Sequence, residues 1–490
     1  MATPPGNTRT PLDWCPCVST ASDRPAVPAW LAAPDDANAL VPIVWPEGAE
    51  RDQDGVLRVG GLAADDLAAR FGTPLYVLDE DGVRARAREV LAAFRDAASR
   101  HGGTARVYYA GKAFLSSEVV RWVSAEGLGV DVASGGELAV ALAAGADPAR
   151  LGLHGNNKLL PEIAQAVGAG VGSIVVDSRV EIERVAEAAA AAGRVQTVLV
   201  RVNSGVHAET HDFLATAHED QKFGFAMTDA AAAVTRIREL PSLRFAGLHC
   251  HIGSQIFGTA GFAESAARVV ELHADLLAGG EVPLLNLGGG FGIAYTAADD
   301  PTPIAHLAEG IVAAVARECA SRGIPLPELA FEPGRAVVGR AGITLYRVGT
   351  VKPVRVSDDL ERLYVSVDGG MSDNARPALY GADYSARIAS RRSDAAAALA
   401  RVVGRHCESG DIVVDAEYLP GDIEPGDLLA VAATGAYCFS LASNYNYVPR
   451  PPVVAVAGGE ARLIVRGETV DDLLSRDVGI VRPGTSEESA

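Results

Sequence analysis

The stretch that decides the fold class of this chain is Leu329-Ala330-Phe331-Glu332-Pro333-Gly334-Arg335. An apolar run stops there at a carboxylate and a guanidinium that Pro-Gly separates, as expected where a strand ends and a turn begins. The same arrangement, an apolar run that stops at polar or glycine-rich residues, recurs along the chain from Lys112 onward. This recurrence indicates a (β/α) barrel that carries its site on the C-terminal face.

β-like runs alternate with alanine-rich helical stretches from residue 74 to about residue 340. Strands separated by helices indicate βαβ units and a parallel sheet. Eight or nine such units fit a closed (β/α)8 TIM-like barrel better than an open sheet. The expected strands lie at residues 74–78, 107–109, 128–130, 151–153, 173–176, 197–202, 245–248, 284–287 and 329–331.

Beyond residue 340, short β-like runs are separated by Gly, Pro and Asp turns, with few helical stretches between them. That pattern indicates a mainly antiparallel β domain at 341–490, after the barrel at 74–340. We expect the Pro/Ala-rich arm at 1–45 to be partly disordered, and the segment at 46–73 to add a strand at 56–59 to the β domain. The expected β-domain runs lie at residues 343–348, 362–367, 402–403, 412–414, 427–432, 452–456 and 461–465.

Composition excludes several classes of function. The chain has 43 basic and 62 acidic residues and a formal net charge of −19, which disfavours binding to a nucleic-acid backbone. No stretch is both apolar and charge-free over the length that spans a bilayer. Cys15 and Cys17 lie in the arm, and the other four cysteines lack the spacing of a zinc site or a disulfide framework. We therefore expect a protein of the reducing cytoplasm that holds no metal.

Lys112 follows the expected strand at 107–109 and is the first candidate for chemistry. A lysine in a partly desolvated barrel mouth has a lowered pKa and can form a Schiff base. Taken alone, a lysine at such a place is more often an ordinary surface residue. Polar residues at other strand ends favour the chemical role, although each could also be a hydrogen-bonded core residue. They are Asp131, His154, Arg201, Asn203, His249 and His251.

A glycine triplet, Gly288 to Gly290, follows the expected strand at 284–287. Its backbone N–H groups and the hydroxyl of Ser254 can bind a phosphate dianion, and barrel phosphate sites lie in the late βα loops. Glu332 can supply a carboxylate for a pyridinium nitrogen. A lysine for an imine, a glycine loop for a phosphate and an acid for the ring nitrogen together indicate pyridoxal 5'-phosphate.

Five longer motifs resemble one known family. They are GLHCHIGSQ at 247–255, NLGGGFG at 286–292, EPGR at 332–335, CESGD at 407–411 and GAYCFSLASNYN at 435–446. They resemble the barrel-type pyridoxal phosphate-dependent decarboxylases, and within them the diaminopimelate decarboxylases, from about residue 40 to about residue 480. The resemblance implies a barrel of the alanine racemase-like group followed by a C-terminal β domain.

The resemblance implies roles for residues around the cofactor. Lys112 would hold it as a Schiff base, His251 would stack on its ring, and Glu332 would pair with the ring nitrogen. Ser254, the glycine triplet and Tyr437 would bind its phosphate. The residues expected to contact the cofactor are Lys112, Asp131, His251, Ser254, Gly288, Gly289, Gly290, Glu332, Gly334, Arg335 and Tyr437.

The resemblance also implies a substrate with an amino-acid group at each end, meso-2,6-diaminopimelate, which would be decarboxylated to L-lysine. Arginines and a tyrosine would bind its far carboxylate, and a glutamate its far ammonium. The residues expected to contact the substrate are Arg335, Arg376, Tyr380, Glu408 and Tyr437. Cys407 would be the general acid that protonates the α-carbon after carbon dioxide leaves. The segment at 407–411 would reach into a partner's site, so the active unit would be a homodimer.

Three other functions stay open at this point. A decarboxylase of another amino acid with two charged ends would share nearly all of these motifs. A non-catalytic relative would usually lose the lysine or the cysteine, whereas this chain keeps Lys112 and Cys407. An amino-acid racemase would share the barrel, but the motifs at 332–335 and 407–411 favour a decarboxylase. The lysine motif departs from the family pattern around Gly111, and the arm before residue 40 has no role by resemblance.

Overall fold

The computed structural model describes residues 25–206 and 222–480. Cys15, Cys17 and most of the expected N-terminal arm lie outside these residues. The described part of the arm contacts the rest of the chain: Trp45 is buried, and the side-chain amide of Asn38 donates to the carbonyl of Ser393 at 2.8 Å. Residues 25–45 therefore lie against the C-terminal domain.

Regular structure begins with a small antiparallel sheet. Its strands are β1 (Glu50–Arg51), β2 (Leu57–Val59) and β3 (Leu62–Ala63), and β4 (Leu75–Asp79) follows in another sheet. The strand expected at 56–59 thus pairs within its own sheet and not with the β domain. A backbone hydrogen bond from Leu57 N–H to the carbonyl of Ala389, at 2.8 Å, does connect this strand to the C-terminal domain. It is not continued by further backbone bonds among the described residues, so the two segments do not form a paired ladder.

Eight parallel strands close into the predicted barrel, which is confirmed. They are β5 (Ala105–Ala110), β6 (Gly129–Val132), β7 (Leu151–Leu153), β8 (Ser173–Val176), β9 (Gln196–Asn203), β11 (Leu243–His249), β12 (Leu284–Asn286) and β13 (Glu328–Phe331), with β10 (Phe225–Ala226) added to the end of β9. The pairing runs from β5 through β8 and β9 to β11, β12 and β13, and returns to β5. Eight of the nine expected barrel runs fall in these strands.

Helices cover the outside of the barrel or cap the C-terminal domain. They are α1 (Ala64–Phe71), α2 (Glu80–Arg100), α3 (Ser117–Ala125), α4 (Gly135–Ala143), α5 (Leu160–Ala169), α6 (Arg179–Ala191), α7 (Met227–Glu239), α8 (Ala260–Leu277), α9 (Ile304–Ser321), α10 (Arg335–Val338), α11 (Arg376–Tyr380) and α12 (Val470–Leu474). Three of the barrel helices begin at serines whose hydroxyls accept backbone N–H groups of the first turn: Ser116, Ser134 and Ser178. Such caps fix where each strand-to-helix loop ends.

Side chains inside the barrel form layers, because alternate residues of each strand point inward. The middle layer is apolar and consists of Val175, Leu199, Leu284 and Ala330, with Tyr108 and Ala246 packed against it. Polar strand-end residues lie on the carboxyl side of this layer, and charged residues lie on the amino side. The apolar layer therefore separates two polar ends of one barrel.

A bulge in β11 changes which of its residues face into the barrel. The register with β9 shifts between Phe245 and Gly247, so that His249 lies opposite Arg201. Regular alternation would have placed Leu248 on the inner face instead. Gly247 permits the bulge, because a Cβ there would lie 1.8 Å from a backbone carbonyl oxygen of β12. The bulge thus aims a histidine into the barrel mouth.

The C-terminal domain is built on a mixed sheet. Its strands are β14 (Gly342–Ser357), β15 (Leu360–Val367), β16 (Ala386–Ile388), β17 (Ala397–Val403), β18 (Ile412–Pro420), β19 (Leu428–Val431), β20 (Val453–Ala457) and β21 (Glu460–Val465). All seven expected runs fall in these strands, and β16 was not predicted. Most pairs are antiparallel, as expected, whereas β15 with β17 and β4 with β20 are parallel.

β4 lies in this mixed sheet, although the sequence analysis placed it first in the barrel. It pairs antiparallel with β14 and parallel with β20. All five of its residues are buried, so its apolar pattern is the same as that of a buried barrel strand. Only the pairing partners distinguish the two locations. Within the described ranges, no helix has the length and apolar character needed to cross a membrane.

Candidate active site

Polar side chains from five strands meet at the carboxyl end of the barrel. Asp131, His249 and Asn286 belong to β6, β11 and β12, while His154 and Glu332 directly follow β7 and β13. Parallel strands in a barrel end at one mouth, so these side chains converge. The sequence analysis identified four of the five as strand-end residues and missed Asn286.

Glu332 is the centre of this cluster and is only 9% exposed. One of its oxygens accepts a hydrogen bond from Nε2 of His249 at 3.1 Å. The other accepts from the side-chain amide of Asn286 at 2.5 Å, and Nε2 of His154 lies 3.6 Å away. A buried carboxylate with several donors is held in one position.

The cluster sets the ionisation of its members. Burial raises the pKa of the Glu332 carboxyl, but the imidazoles of His249 and His154 lower it by more, so that it lies well below its usual value. Burial lowers the pKa of each of these two histidines to about 4. At neutral pH, a carboxylate therefore lies beside two neutral imidazoles. The ligand atoms of the three groups lie within 4.8 Å of one another, close enough for a metal ion, so the expected absence of metal stays a prediction.

Asp131 is a second buried carboxyl group in the mouth. Its Oδ1 lies 3.2 Å from Nε2 of His154, while its Oδ2 is buried with no hydrogen-bond partner among the described residues. Burial and then the charge of Glu332 raise the pKa of Asp131 well above its usual value, against a smaller lowering by Lys112. Two carboxyls whose pKa values are driven apart are typical of acid–base sites.

The glycine triplet at 288–290 passes too close to other backbone for any side chain. A Cβ on Gly289 would lie 2.0 Å from the carbonyl oxygen of Glu332. A Cβ on Gly290 would lie 2.3 Å from the carbonyl oxygen of Gly253. This edge of the mouth therefore consists of bare backbone, as expected of a loop that binds phosphate.

His251 borders the triplet, and burial lowers the pKa of its imidazole well below the usual value. Its Nδ1 accepts the N–H of Gly289 at 3.3 Å, and the side-chain oxygen of Asn286 accepts the N–H of Gly288 at 2.9 Å. Two of the three N–H groups expected at a phosphate thus have acceptors within the chain. The N–H of Gly290 has none among the described residues.

Arg335 connects the triplet side of the mouth to the C-terminal domain. It is 8% exposed and donates to Oγ of Ser254 at 2.9 Å and to the hydroxyl of Tyr295. Its guanidinium carbon lies 4.7 Å from the ring centre of Tyr437. Ser254 and Tyr437, the two side chains expected at the phosphate, therefore both contact Arg335, and Nε of the arginine is buried with no partner among the described residues.

A second buried arginine, Arg376, also lies against Tyr295. Its guanidinium carbon is 4.6 Å from the Tyr295 ring centre, and it donates to the hydroxyl of Tyr384. That hydroxyl lies 3.6 Å from the sulfur of Cys438. Two arginines that share one tyrosine can bind a carboxylate with planar, bidentate geometry. Both arginines were predicted from the sequence, whereas the two tyrosines were not, because they lie in loops without a periodic pattern.

Lys112 lies in a single turn of 3-10 helix, Gly111–Ala113, directly after β5. The C-terminal domain holds this turn, because the carbonyl of Ala113 accepts the N–H of Tyr437 at 2.7 Å. Gly334 packs against the same turn: a Cβ on it would lie 3.0 Å from the Ala113 side chain. The side chain of Lys112 itself is exposed. Its charge nevertheless acts on the mouth, because it opposes the raised pKa of Asp131. The expected partial desolvation of the ammonium stays a prediction.

Cys407, Glu408 and Tyr380 lie on the surface. Tyr380 is 67% exposed, and the other two are also exposed. The N–H of Cys407 donates to Oδ1 of Asn446 at 3.1 Å, and the carboxylate of Glu408 accepts from the hydroxyl of Tyr445 at 3.3 Å. Among the described residues, no hydrogen bond or ion pair joins these three side chains to the cluster in the barrel mouth. One chain thus brings together most of the predicted site and leaves these three residues apart.

The chain is similar to known proteins in sequence and in fold. Residues 87–339 match the family described as pyridoxal-dependent decarboxylase, pyridoxal binding domain. The chain is 54% identical to a diaminopimelate decarboxylase of Mycobacterium leprae over 92% of this chain and 96% of the relative. It is 43% identical to one of Bacillus subtilis over 87% and 96%. A solved diaminopimelate decarboxylase from M. jannaschii, in complex with L-lysine, is 32% identical, with a TM-score of 0.82 over 89% of this chain and 99% of that chain.

Proposed function

The chain belongs to the diaminopimelate decarboxylase family of pyridoxal-dependent decarboxylases, and on that premise we propose that it converts meso-2,6-diaminopimelate to L-lysine and carbon dioxide, the last step of lysine biosynthesis. The observation that carries the proposal is Glu332, an ionised carboxylate held in the barrel mouth by His249 and Asn286. A protonated pyridine ring needs such a partner. The four described cysteines are free, which supports the expected reducing cytoplasm.

The residues of the mouth are compatible with pyridoxal 5'-phosphate. Asp131 and Arg335 each have a buried polar atom without a partner among the described residues, and the glycine triplet at 288–290 borders the same mouth without side chains. Lys112 would attach the cofactor at the rim, and His251 would lie against its ring. When bound, the cofactor supplies an electron-withdrawing ring that stabilises the charge left at the α-carbon when carbon dioxide leaves.

The phosphate of the cofactor would lie between Ser254, Tyr437 and the N–H of Gly290. Arg335 supports this placement, because it contacts both Ser254 and Tyr437. The far carboxylate of the substrate would then lie toward Arg335 and Arg376, on the Tyr295 side. Two guanidinium groups favour a diacid over ornithine, which has no carboxylate at its far end.

Cys407 would protonate the α-carbon, and Glu408 would bind the far ammonium, in the site of a second copy of the chain. Their exposure and their hydrogen bonds to their own domain support this arrangement. Their neighbours on the same domain include exposed apolar side chains, of which Tyr447 is 68% exposed. We therefore propose a homodimer with shared sites, in which Tyr380 also contacts the substrate.

The substrate is tested by measuring release of carbon dioxide from meso-diaminopimelate, with ornithine, arginine and lysine assayed beside it. We expect release from the diacid alone. Protein that holds the cofactor but leaves meso-diaminopimelate unchanged would refute the substrate and direct the search to another amino acid with two charged ends.

The shared site is tested by mixing two inactive variants, Lys112→Ala and Cys407→Ala, after unfolding and refolding them together. In a mixed dimer, one site combines the intact lysine of one chain with the intact cysteine of the other. We expect recovery of about a quarter of the parent activity, because about half of the dimers are mixed and each has one good site. A mixture that stays inactive while mixed dimers form would mean that each chain uses its own cysteine.

A further inference from the structure

A cavity of about 710 Å³ opens at the amino end of the barrel, opposite the site described above. Arg106 and Glu328 line it at the first residues of β5 and β13, and Thr197 and Arg244 line it at the start of β9 and β11. Arg194, in the loop before β9, completes the rim. None of these residues has a part in the proposed decarboxylation.

The apolar middle layer of the barrel forms the inner wall of the cavity. Tyr108, Leu199, Ala246 and Leu284 line it, and the same residues belong to that layer or pack against it. The cavity therefore does not continue into the barrel mouth. A molecule bound in it would touch apolar side chains at its inner end and charged side chains at its outer end.

The charges at the outer end are unbalanced. Arg106 is paired with Glu328, its Nε lying 2.9 Å from a carboxylate oxygen, whereas Arg244 donates to the neutral hydroxyl of Thr197 at 2.6 Å. Among the described residues that line the cavity, Glu328 is the one acid against three arginines. Two guanidinium groups, those of Arg194 and Arg244, thus lack a carboxylate at this opening.

This excess of positive charge contrasts with the whole chain, which carries a formal net charge of −19. Positive charge in the cavity raises the local concentration of anions there, although the protein as a whole repels them. Guanidinium groups bind carboxylates and phosphates with paired hydrogen bonds. The cavity volume lies within the range of small-molecule sites, about 300–1,000 Å³.

We propose that the amino-end cavity binds a small molecule with at least two anionic groups, carboxylate or phosphate, on a short body. One anionic group pairs with Arg244 and another with Arg194, while the body lies against Tyr108 and Leu199. Bound there, the molecule bridges β9 and β11, two neighbouring strands that end in the barrel mouth at Asn203 and His249. The site is independent of the substrate proposed above.

The test is equilibrium dialysis of the cofactor-loaded enzyme against labelled pyrophosphate and, separately, labelled citrate. Saturating L-lysine is present to occupy the substrate pocket, and the cofactor occupies its own phosphate site. The variant is Arg244→Gln, with Arg244→Lys to keep the charge. The matched control is Arg236→Gln, an exposed arginine on α7 that pairs with Glu183 outside the cavity.

We expect one bound anion per chain, weakened about tenfold or more in Arg244→Gln, less in Arg244→Lys and not at all in Arg236→Gln. Binding of pyrophosphate alone would identify a phosphate site, and binding of citrate alone a carboxylate site. The proposal is overturned if neither anion binds, if Arg244→Gln binds as the parent does, or if the anion binds only when L-lysine is left out, which places it in the substrate pocket.

Discussion

The two halves of the proposed site differ in how one chain holds them. In the barrel mouth, Glu332 and its partners His249 and Asn286 are buried and bonded to one another. On the loop before β18, Cys407 and Glu408 are exposed and bonded to their own domain. The barrel half is complete within one chain, whereas the loop half has no reaction partner there. Burial and mutual contact therefore hold the barrel residues in place within one chain, whereas the proposed proton donor depends on the proposed assembly of two chains.

Lys112→Ala tests the barrel half at its rim and has the largest expected effect. Loss of the residue that attaches the cofactor should lower turnover by more than about 10⁴-fold and remove the absorbance of the bound cofactor. Kinetics and a visible spectrum check this. Lys352→Ala, at an exposed lysine of β14, serves as control and should keep both signals. Retention of the spectrum in Lys112→Ala would place the attachment elsewhere.

Cys407→Ala tests the loop before β18. It should lower turnover without affecting cofactor binding in the barrel mouth. Because no hydrogen bond or ion pair among the described residues joins Cys407 to the cluster that would hold the cofactor, the spectrum should be unchanged. Turnover should fall by about 10²–10⁴-fold, the contribution of a positioned general acid. Cys319→Ala, at a buried cysteine of α9, controls for loss of a thiol as such. A fully active Cys407→Ala would mean that another group protonates the α-carbon.

The burial of the histidines in the barrel mouth predicts that the stability of the protein depends on pH. Burial lowers the pKa of His249 from 6.5 to about 4 in the folded chain. Between those values the unfolded chain binds the extra proton, so the contribution is complete above pH 6.5 and is lost as pH falls toward 4. When the pH falls from 7 to 5, the unfolding free energy of the parent should therefore decrease by about 2 kcal/mol more than that of His249→Gln.

Urea unfolding at several pH values measures that difference, with His306→Gln at an exposed position of α9 as control. The control should follow the parent curve at every pH. If His249→Gln also followed it, the histidine would bind its proton equally in the folded and unfolded chains, and at pH 5 Glu332 would lie beside a cation.

Arg376→Lys has the smallest expected effect. It tests whether Arg376, an arginine of the C-terminal domain, only binds the substrate or also acts on the reacting atoms. Lysine keeps the charge but loses the flat contact with Tyr295 and the paired hydrogen bonds to a carboxylate. KM for meso-diaminopimelate should rise about tenfold with kcat changed little, as for a residue that contributes uniform binding. Steady-state kinetics decide, with Arg392→Lys as a control at an exposed arginine. An equal fall in kcat would place Arg376 with the reacting atoms.

Much of the barrel and of its mouth could be predicted from the sequence. Apolar runs that stop at polar residues specify parallel strands, and the shared carboxyl ends of such strands bring Asp131, His154 and Glu332 together. Tyr295 could not be predicted, because it lies in a loop where neither periodicity nor spacing relates it to Arg335 and Arg376. That Lys112 is exposed while Gly111 and Ala113 are buried could not be predicted, because strand-end position does not determine which residues of a short turn face solvent.

The sequence by itself determined the element types, the eight barrel strands and the residues at their ends, because these depend on local apolar pattern and turn chemistry. Tertiary structure alone decided that β4 joins the mixed sheet, because a buried strand has the same pattern in either sheet and only its hydrogen-bond partners differ. It also decided that His249 reaches Glu332, because a one-residue bulge at Gly247 turns that side chain inward. Register is a property of two strands, and one strand's sequence does not contain it.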